Sequence, residues 1–254
     1  MDNTARNGDL VRSAAVMAAA VLQFTFGALG GTGALGTSVG DVANSHPHPL
    51  LPPGGAFMIW NLIYLGALAL AVWQLLPRQR TRAIHRRSGY WLAAAGALNA
   101  LWIVVFGNEL VPLSEVVIVL LLATLVMAWR ALLTTGPAES RIDRTLLYGV
   151  ISLYTGWVAV ATVIGALTTA ASLDSAPGDV ALWTAWAVTA ALIAAGLRFG
   201  QGVLGFAAAT VWALAWAGTV ADGALKVAVL VLAAAVVLAV AAGALRRQTR
   251  WLLG

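Results

Sequence analysis

The chain has 254 residues, of which 61% are hydrophobic and 10% charged, with a formal net charge of +5. A soluble domain carries about 25% charged residues, so this composition excludes an ordinary water-soluble fold and calls for lipid around the molecule. There is no cysteine, which removes disulfides, thiolate metal sites and cysteine nucleophiles from consideration. The basic excess does not point to nucleic acid, because the arginines sit in short segments between apolar runs.

A membrane span needs about 20 apolar residues. In chain order the runs are roughly 11–30, 56–77, 89–107, 113–133, 146–170, 180–197, 202–219 and 223–245. The expected fold is therefore all-α, a polytopic transmembrane helix bundle of about eight helices. The first run, preceded by Arg6 and Arg12, also fits a secretory signal peptide. No sharp A-x-A cleavage site follows it, so it is read as a retained span. Cleavage would leave about seven.

Arginine placement supplies orientation. Arg6 and Arg12 precede the first run, and Arg78, Arg80, Arg82, Arg86 and Arg87 lie between the second and third. Arg130, Arg141 and Arg144 lie between the fourth and fifth, Arg198 between the sixth and seventh, and Arg246, Arg247 and Arg250 after the eighth. Every arginine falls on one side of an eight-span arrangement. The positive-inside rule makes that side cytoplasmic and puts both termini there, in the cell membrane. The opposite side carries the sole lysine, Lys226, with Asp41, Glu109, Glu115, Asp174, Asp179 and Asp222. Lys226 is at the outer end of the last span, where it can snorkel to water. That position, with no counter-ion at mid-depth, argues against a retinal Schiff base.

Residues 31–55 form a Gly- and Pro-rich outer loop, read either as a lid over a site or as a flexible connector. Its His46-x-His48 pair, beside Asp41, lacks a firm third metal ligand and is read as a polar loop. No catalytic set, no metal site and no required cofactor is expected: there is no HExxH, no P-loop and no paired carboxylate at helical spacing. The 11 tryptophans are more informative. An interfacial belt accounts for Trp73, Trp91, Trp129 and Trp251 at the cytoplasmic side, and for Trp183 and Trp186 outside. Trp157 and Trp212 lie too deep for a belt. Polar residues share the spans: Gln23 and Thr25 in the first, Asn61 in the second, Asn99 three residues before Trp102 in the third, and Tyr154 three before Trp157 in the fifth. Amides are costly in hydrocarbon and are expected to face the bundle interior. Trp60, Asn61, Tyr64, Asn99 and Trp102 fall in the outer half, with Trp157 just below. Two readings stay open, a ligand pocket for a flat apolar molecule and a set of helix–helix contacts.

The segments PPGGAFMIWNLIY (52–64), LNALWIVVF (98–106) and LYTGWVAVAT (153–162) resemble the TspO/MBR family, the tryptophan-rich sensory or translocator proteins, and are similar to its longer bacterial branch. The resemblance covers about residues 10–175. It implies a TspO-like five-helix core there, with the loop 31–55 over a ligand cavity, and an additional three-helix extension over 176–254. It implies a porphyrin or haem-type ligand, or another hydrophobic small molecule, in a sensory or carrier role. The site it implies comprises Phe57, Trp60, Asn61, Tyr64, Asn99, Trp102, Trp157 and Ala161. The sequence departs from the family pattern in three places. The tryptophan-rich segment before Pro52-Pro53 is replaced by His-Pro-His-Pro-Leu-Leu, Phe57 and Trp60 are one residue closer than usual, and Gly165 stands where an asparagine usually follows the tryptophan by eight residues. Alternatives are a membrane transporter of a small solute or lipid and a porphyrin-modifying enzyme, the enzyme being the reading the residues supply least. The expected partners are the lipid bilayer, a hydrophobic small molecule and, as a candidate assembly, a homodimer; no nucleic acid is expected.

Overall fold

A computed structural model describes residues 3–254, with side chains described from Asn7 onward. Arg6 of the expected arginine side therefore lies outside the described side chains. The helices in chain order are α1 (Asn3–Gly31), α2 (Val39–Ser45), α3 (Ile59–Leu75), α4 (Pro77–Arg80), α5 (Ala83–Gly107), α6 (Val111–Leu133), α7 (Val150–Ser172), α8 (Asp179–Phe199), α9 (Leu204–Val220), α10 (Gly223–Leu245) and α11 (Thr249–Leu253). A 3-10 turn, Gly54–Met58, leads into α3, and a π-helical turn, Asp143–Gly149, leads into α7.

Seven helices among the described residues are long and apolar enough to cross a membrane. The eighth long helix, α9, has 17 residues, about 26 Å at 1.5 Å per residue. It still runs from one end of the bundle to the other. At the arginine-rich end Val203 N–H donates to Trp251 O (3.0 Å), and nearer the loop end Trp212 Nε1–H donates to Ala56 O (2.8 Å). The chain is thus a polytopic helical bundle.

Inside the bundle α5 packs along α1 and α6, α7 packs along α6 and α9, and α10 lies on the outside of α9. Small residues set the closest approaches. A Cβ at Gly156 of α7 would come within 2.6 Å of Phe206 O on α9, and one at Gly96 of α5 within 2.9 Å of Ala19 O on α1. Contact of this kind replaces the hydrophobic drive that helices lack in lipid. The outward faces are apolar, as Leu230, Val231, Val237 and Leu238 of α10 illustrate.

Several boundaries differ from those read in the hydropathy. α5 begins at Ala83 rather than at residue 89, because Ile84, His85 and Ser88 turn inward and carry the helix through the arginine-rich stretch. The tryptophan belt holds for Trp91 and Trp183, which are exposed. It fails for Trp129, which is buried, stacks on Phe206 at 5.2 Å and donates its N–H to Gln201 O (2.8 Å). Lys226 is exposed at the start of α10, as its place in the sequence implies.

The loop between the first two long helices folds as a lid tied by hydrogen bonds to the end of the bundle. Ser38 caps α2: its Oγ accepts from Asp41 N–H (3.1 Å) and donates to Asp41 Oδ2 (2.6 Å). This arrangement satisfies a helix-end donor that otherwise lacks a partner. Thr37 ties the lid to the end of α5 through Gly107 O (2.8 Å), and its hydroxyl donates to Glu109 Oε1 (2.8 Å). The Pro52-Pro53 pair brings the chain back down into the 3-10 turn, where Gly55 lies against the Trp216 ring.

Candidate functional site

Beneath the lid, α3, α5 and α7 deliver a cluster of aromatic rings. Trp60 is its centre. It stacks on Tyr64 (5.4 Å between centroids) and Trp102 (6.1 Å), and meets Tyr154 (5.8 Å) and Trp157 (6.0 Å) edge to face. Trp102 stacks in turn on Phe106 (5.1 Å), and Phe57 stands edge-on to Trp157 (6.2 Å). Both geometries are favoured by the ring quadrupole. The rings therefore fill much of the space between their helices.

Two spaces remain, one on each side of the Phe57–Trp60–Trp102 wall. The inner cavity has a volume of about 50 Å³, and Trp157, Ala161, Glu115, Gly165 and Thr168 complete its lining. The outer groove, about 310 Å³, runs between the wall and the small residues Gly27, Gly31, Gly40 and Gly54, with Asn61 and Tyr64 at its edge. The eight residues expected from the sequence divide accordingly. Phe57, Trp60 and Trp102 face both spaces, Trp157 and Ala161 the cavity, and Asn61 and Tyr64 the groove. Asn99 lines neither.

The two amides depart from expectation in opposite senses. Asn61 is exposed on the outer side of α3 instead of facing the bundle interior. Its position one residue after buried Trp60 rotates it about 100° around the helix. Asn99 is fully buried beside the Tyr64 hydroxyl, yet neither end of its amide makes a hydrogen bond of good geometry. The other polar pair behaves as expected of interior groups: Tyr154 Oη donates to Gln23 Oε1 (3.1 Å), joining α7 to α1.

Two residues important to the site, Glu115 and His48, were not singled out by the sequence reading, and neither was the unpaired state of one expected residue, Trp157. Glu115, named only among the charges of the outer side, turns its carboxylate over Gly165 into the cavity. The Trp157 indole N–H, in a residue only 2% exposed, has no acceptor among the described residues. His48, read as an ordinary loop residue, is buried and pins the lid. Its Nδ1 accepts from Leu50 N–H (3.3 Å) and its Nε2 contacts Thr168 Oγ1 (3.3 Å) on α7. Burial pushes the His48 pKa down to about 4, so the ring is neutral and Nε2 carries the proton. Asp41 is engaged by Ser38, and among the described residues no cluster of three His, Asp or Glu side chains approaches metal-ligand geometry.

The opposite end of the bundle carries a second polar assembly. Asp9 accepts from Arg12 (2.7 Å) and from both sides of the Arg86 fork (2.8 and 2.5 Å). Asp143 accepts two bonds from Arg82 (2.9 Å each), a longer one from Trp73 Nε1 (3.4 Å), and the Ser140 hydroxyl accepts from its N–H (3.0 Å). The neighbouring carboxylates raise the Arg82 pKa further above its usual value. The signal for the first cluster was present at i,i+3 in Asp9 and Arg12, which share a helix face.

Comparison with curated proteins and with solved structures returns no match. Comparison with family models does: the model described as TSPO-like protein matches residues 13–244, so the match runs through all eight long helices. With that match over most of its length, and with the three motif segments meeting around Trp60 beneath the lid, the chain belongs to the TSPO-like protein family.

Proposed function

We propose that this protein is a membrane receptor or carrier for a hydrophobic small molecule that binds against the Phe57–Trp60–Trp102 wall. The arginine-rich end and both termini then face the cytoplasm of the cell, as the positive-inside rule requires. The observation that carries the reading is one aromatic wall bordered by two spaces under the lid. The 310 Å³ groove falls within the range of about 300–1,000 Å³ usual for small-molecule sites. The 50 Å³ cavity behind the wall takes only part of a ligand. A flat tetrapyrrole of the porphyrin or haem type suits the groove better than the cavity, lying along Trp60 and Trp102.

Titration of the purified protein with protoporphyrin IX, followed by the shift of the Soret band, tests this. Saturable binding is expected. Trp60→Leu or Trp102→Leu removes a stacking surface and weakens it about tenfold, which corresponds to about 1.4 kcal/mol. Trp91→Phe, on the lipid-facing side, leaves it unchanged. Non-saturable partitioning, or equal affinity in all variants, overturns the assignment.

A further inference from the structure

The inner cavity holds one ionisable group, and its placement is specific. Glu115 sits one turn into α6 and is half-buried. Its carboxylate occupies the space above Gly165 of α7, where any Cβ would collide with Oε2. It accepts no hydrogen bond and forms no salt bridge with any described residue. The other polar side chains at the cavity wall are already engaged: Ser114 donates to Val111 O (2.7 Å), and Thr168 donates to Ile164 O (3.1 Å). The rest of the lining is mostly apolar and aromatic: Trp157 stands nearly perpendicular to Phe57 (83°) and Trp60 (86°), and Trp102 lies closer to parallel with Trp60 (29°).

A lone carboxylate in an apolar enclosure is costly unless it takes up a proton or a positive charge meets it. Aromatic faces attract the same kind of charge, and aromatic cages recognise quaternary and methylated ammonium groups. At about 30 Å³ of liquid volume per water, a 50 Å³ cavity has room for roughly two waters. That suits a compact cationic head and excludes a macrocycle. We propose that the inner cavity is an organic-cation site, in which Glu115 is the counter-charge and the four rings form the cage for an ammonium head. The apolar body of the ligand extends out past the wall. The proposal rests on the reading that this aromatic wall binds a small molecule, and narrows the class of that molecule to an apolar amphiphile carrying one positively charged nitrogen.

Phenyltrimethylammonium and tert-butylbenzene have the same shape and differ in charge. Their binding to the full chain is measured by tryptophan quenching in dodecyl maltoside, which carries neither charge nor ammonium groups. The cation is expected to bind saturably and at least tenfold more tightly than its neutral isostere. Glu115→Gln is expected to reduce that ratio at least tenfold. Gly165→Ala, which keeps the carboxylate but drives a Cβ into it, reduces the ratio as well. Equal affinity for the two probes, or a ratio unchanged in Glu115→Gln, overturns the cation site while leaving the receptor reading intact. If neither probe binds but protoporphyrin does, the cavity is not a ligand site and only the groove stands. If none of the three binds, both readings fall together.

Discussion

At the arginine-rich end Asp9 and Asp143 are each held by guanidinium groups, whereas at the lid end Glu115 lines a cavity and the buried Trp157 N–H has no acceptor among the described residues. Both ends bury polar atoms, and burial is costly in each case. The first end offsets part of the cost, with paired charges that join α1 to α5 and the start of α5 to the turn before α7, although Gln74 and His85 stay buried there without hydrogen-bond partners. The second leaves it uncompensated, in a space bounded by rings that a ligand can contact. A bundle tied at one end by ionic pairs and bordered by open space at the other has a natural division of labour: the first sets helix register, and the second is where the ligand proposed above would bind.

The comparison breaks most easily at Asp143. Its carboxylate is about 1% exposed and the Arg82 side chain 17%. Removing one partner of such a pair leaves a buried charge without compensation, at about 3–5 kcal/mol. Asp143→Asn is therefore expected to lower thermal stability by about 3 kcal/mol while leaving protoporphyrin affinity within twofold, because the pair lies at the far end from the wall. Thermal unfolding in detergent, paired with the Soret titration, measures both. A variant that unfolds normally but loses binding would show that the two ends are coupled, contrary to the division drawn above.

The lid responds to pH through His48. Its folded pKa of about 4 lies below the ordinary 6.5. The opened lid therefore takes up a proton more readily than the closed one. Closure has its full stability above about pH 6.5 and loses it progressively as pH falls towards 4. At pH 5 the loss is about 2 kcal/mol, taking 1.4 kcal/mol per unit over 1.5 units. Hydrogen exchange of residues 46–51, corrected for intrinsic rates, is expected to accelerate between pH 7 and pH 5. His48→Asn should lose that dependence. Acid-independent protection in the unaltered protein would mean that the Thr168 contact does not hold the lid.

The helices were legible because hydropathy reports burial in lipid directly: eight apolar runs became eight long helices. Trp157 was legible because an indole at mid-depth has no interfacial role to explain it, and Trp60 and Trp102 because amides and the motif segments accompany them. The positions of the amides were not. Asn61 and Trp60 are adjacent in sequence and face different surroundings, and no spacing rule says which of the two turns inward. Glu115 was missed for a related reason. Proximity to a helix end makes an acid look solvated, but Gly165 opens a space on the neighbouring helix that only the packing reveals. The ionic pairs at the other end depend on Asp9 meeting Arg86 and Asp143 meeting Arg82, contacts more than 60 residues apart in the chain.

Two residues, Gln74 and His85, resist the division between the two ends, and the first of them sharpens it. Gln74, in the last turn of α3, is fully buried at the arginine-rich end, yet both atoms of its amide lack partners. If this end is organised for stability, an unpaired amide there is a defect costing about 1–3 kcal/mol. Gln74→Met keeps the length of the side chain and removes the donor and acceptor, so it is expected to raise stability by about 1 kcal/mol with ligand affinity unchanged. Thermal unfolding of this variant beside Asp143→Asn reads the two effects with opposite sign at one end of the molecule. A destabilised Gln74→Met would mean that the amide is satisfied by bound water, and that the arginine-rich end, like the lid end, holds a hydrated interior.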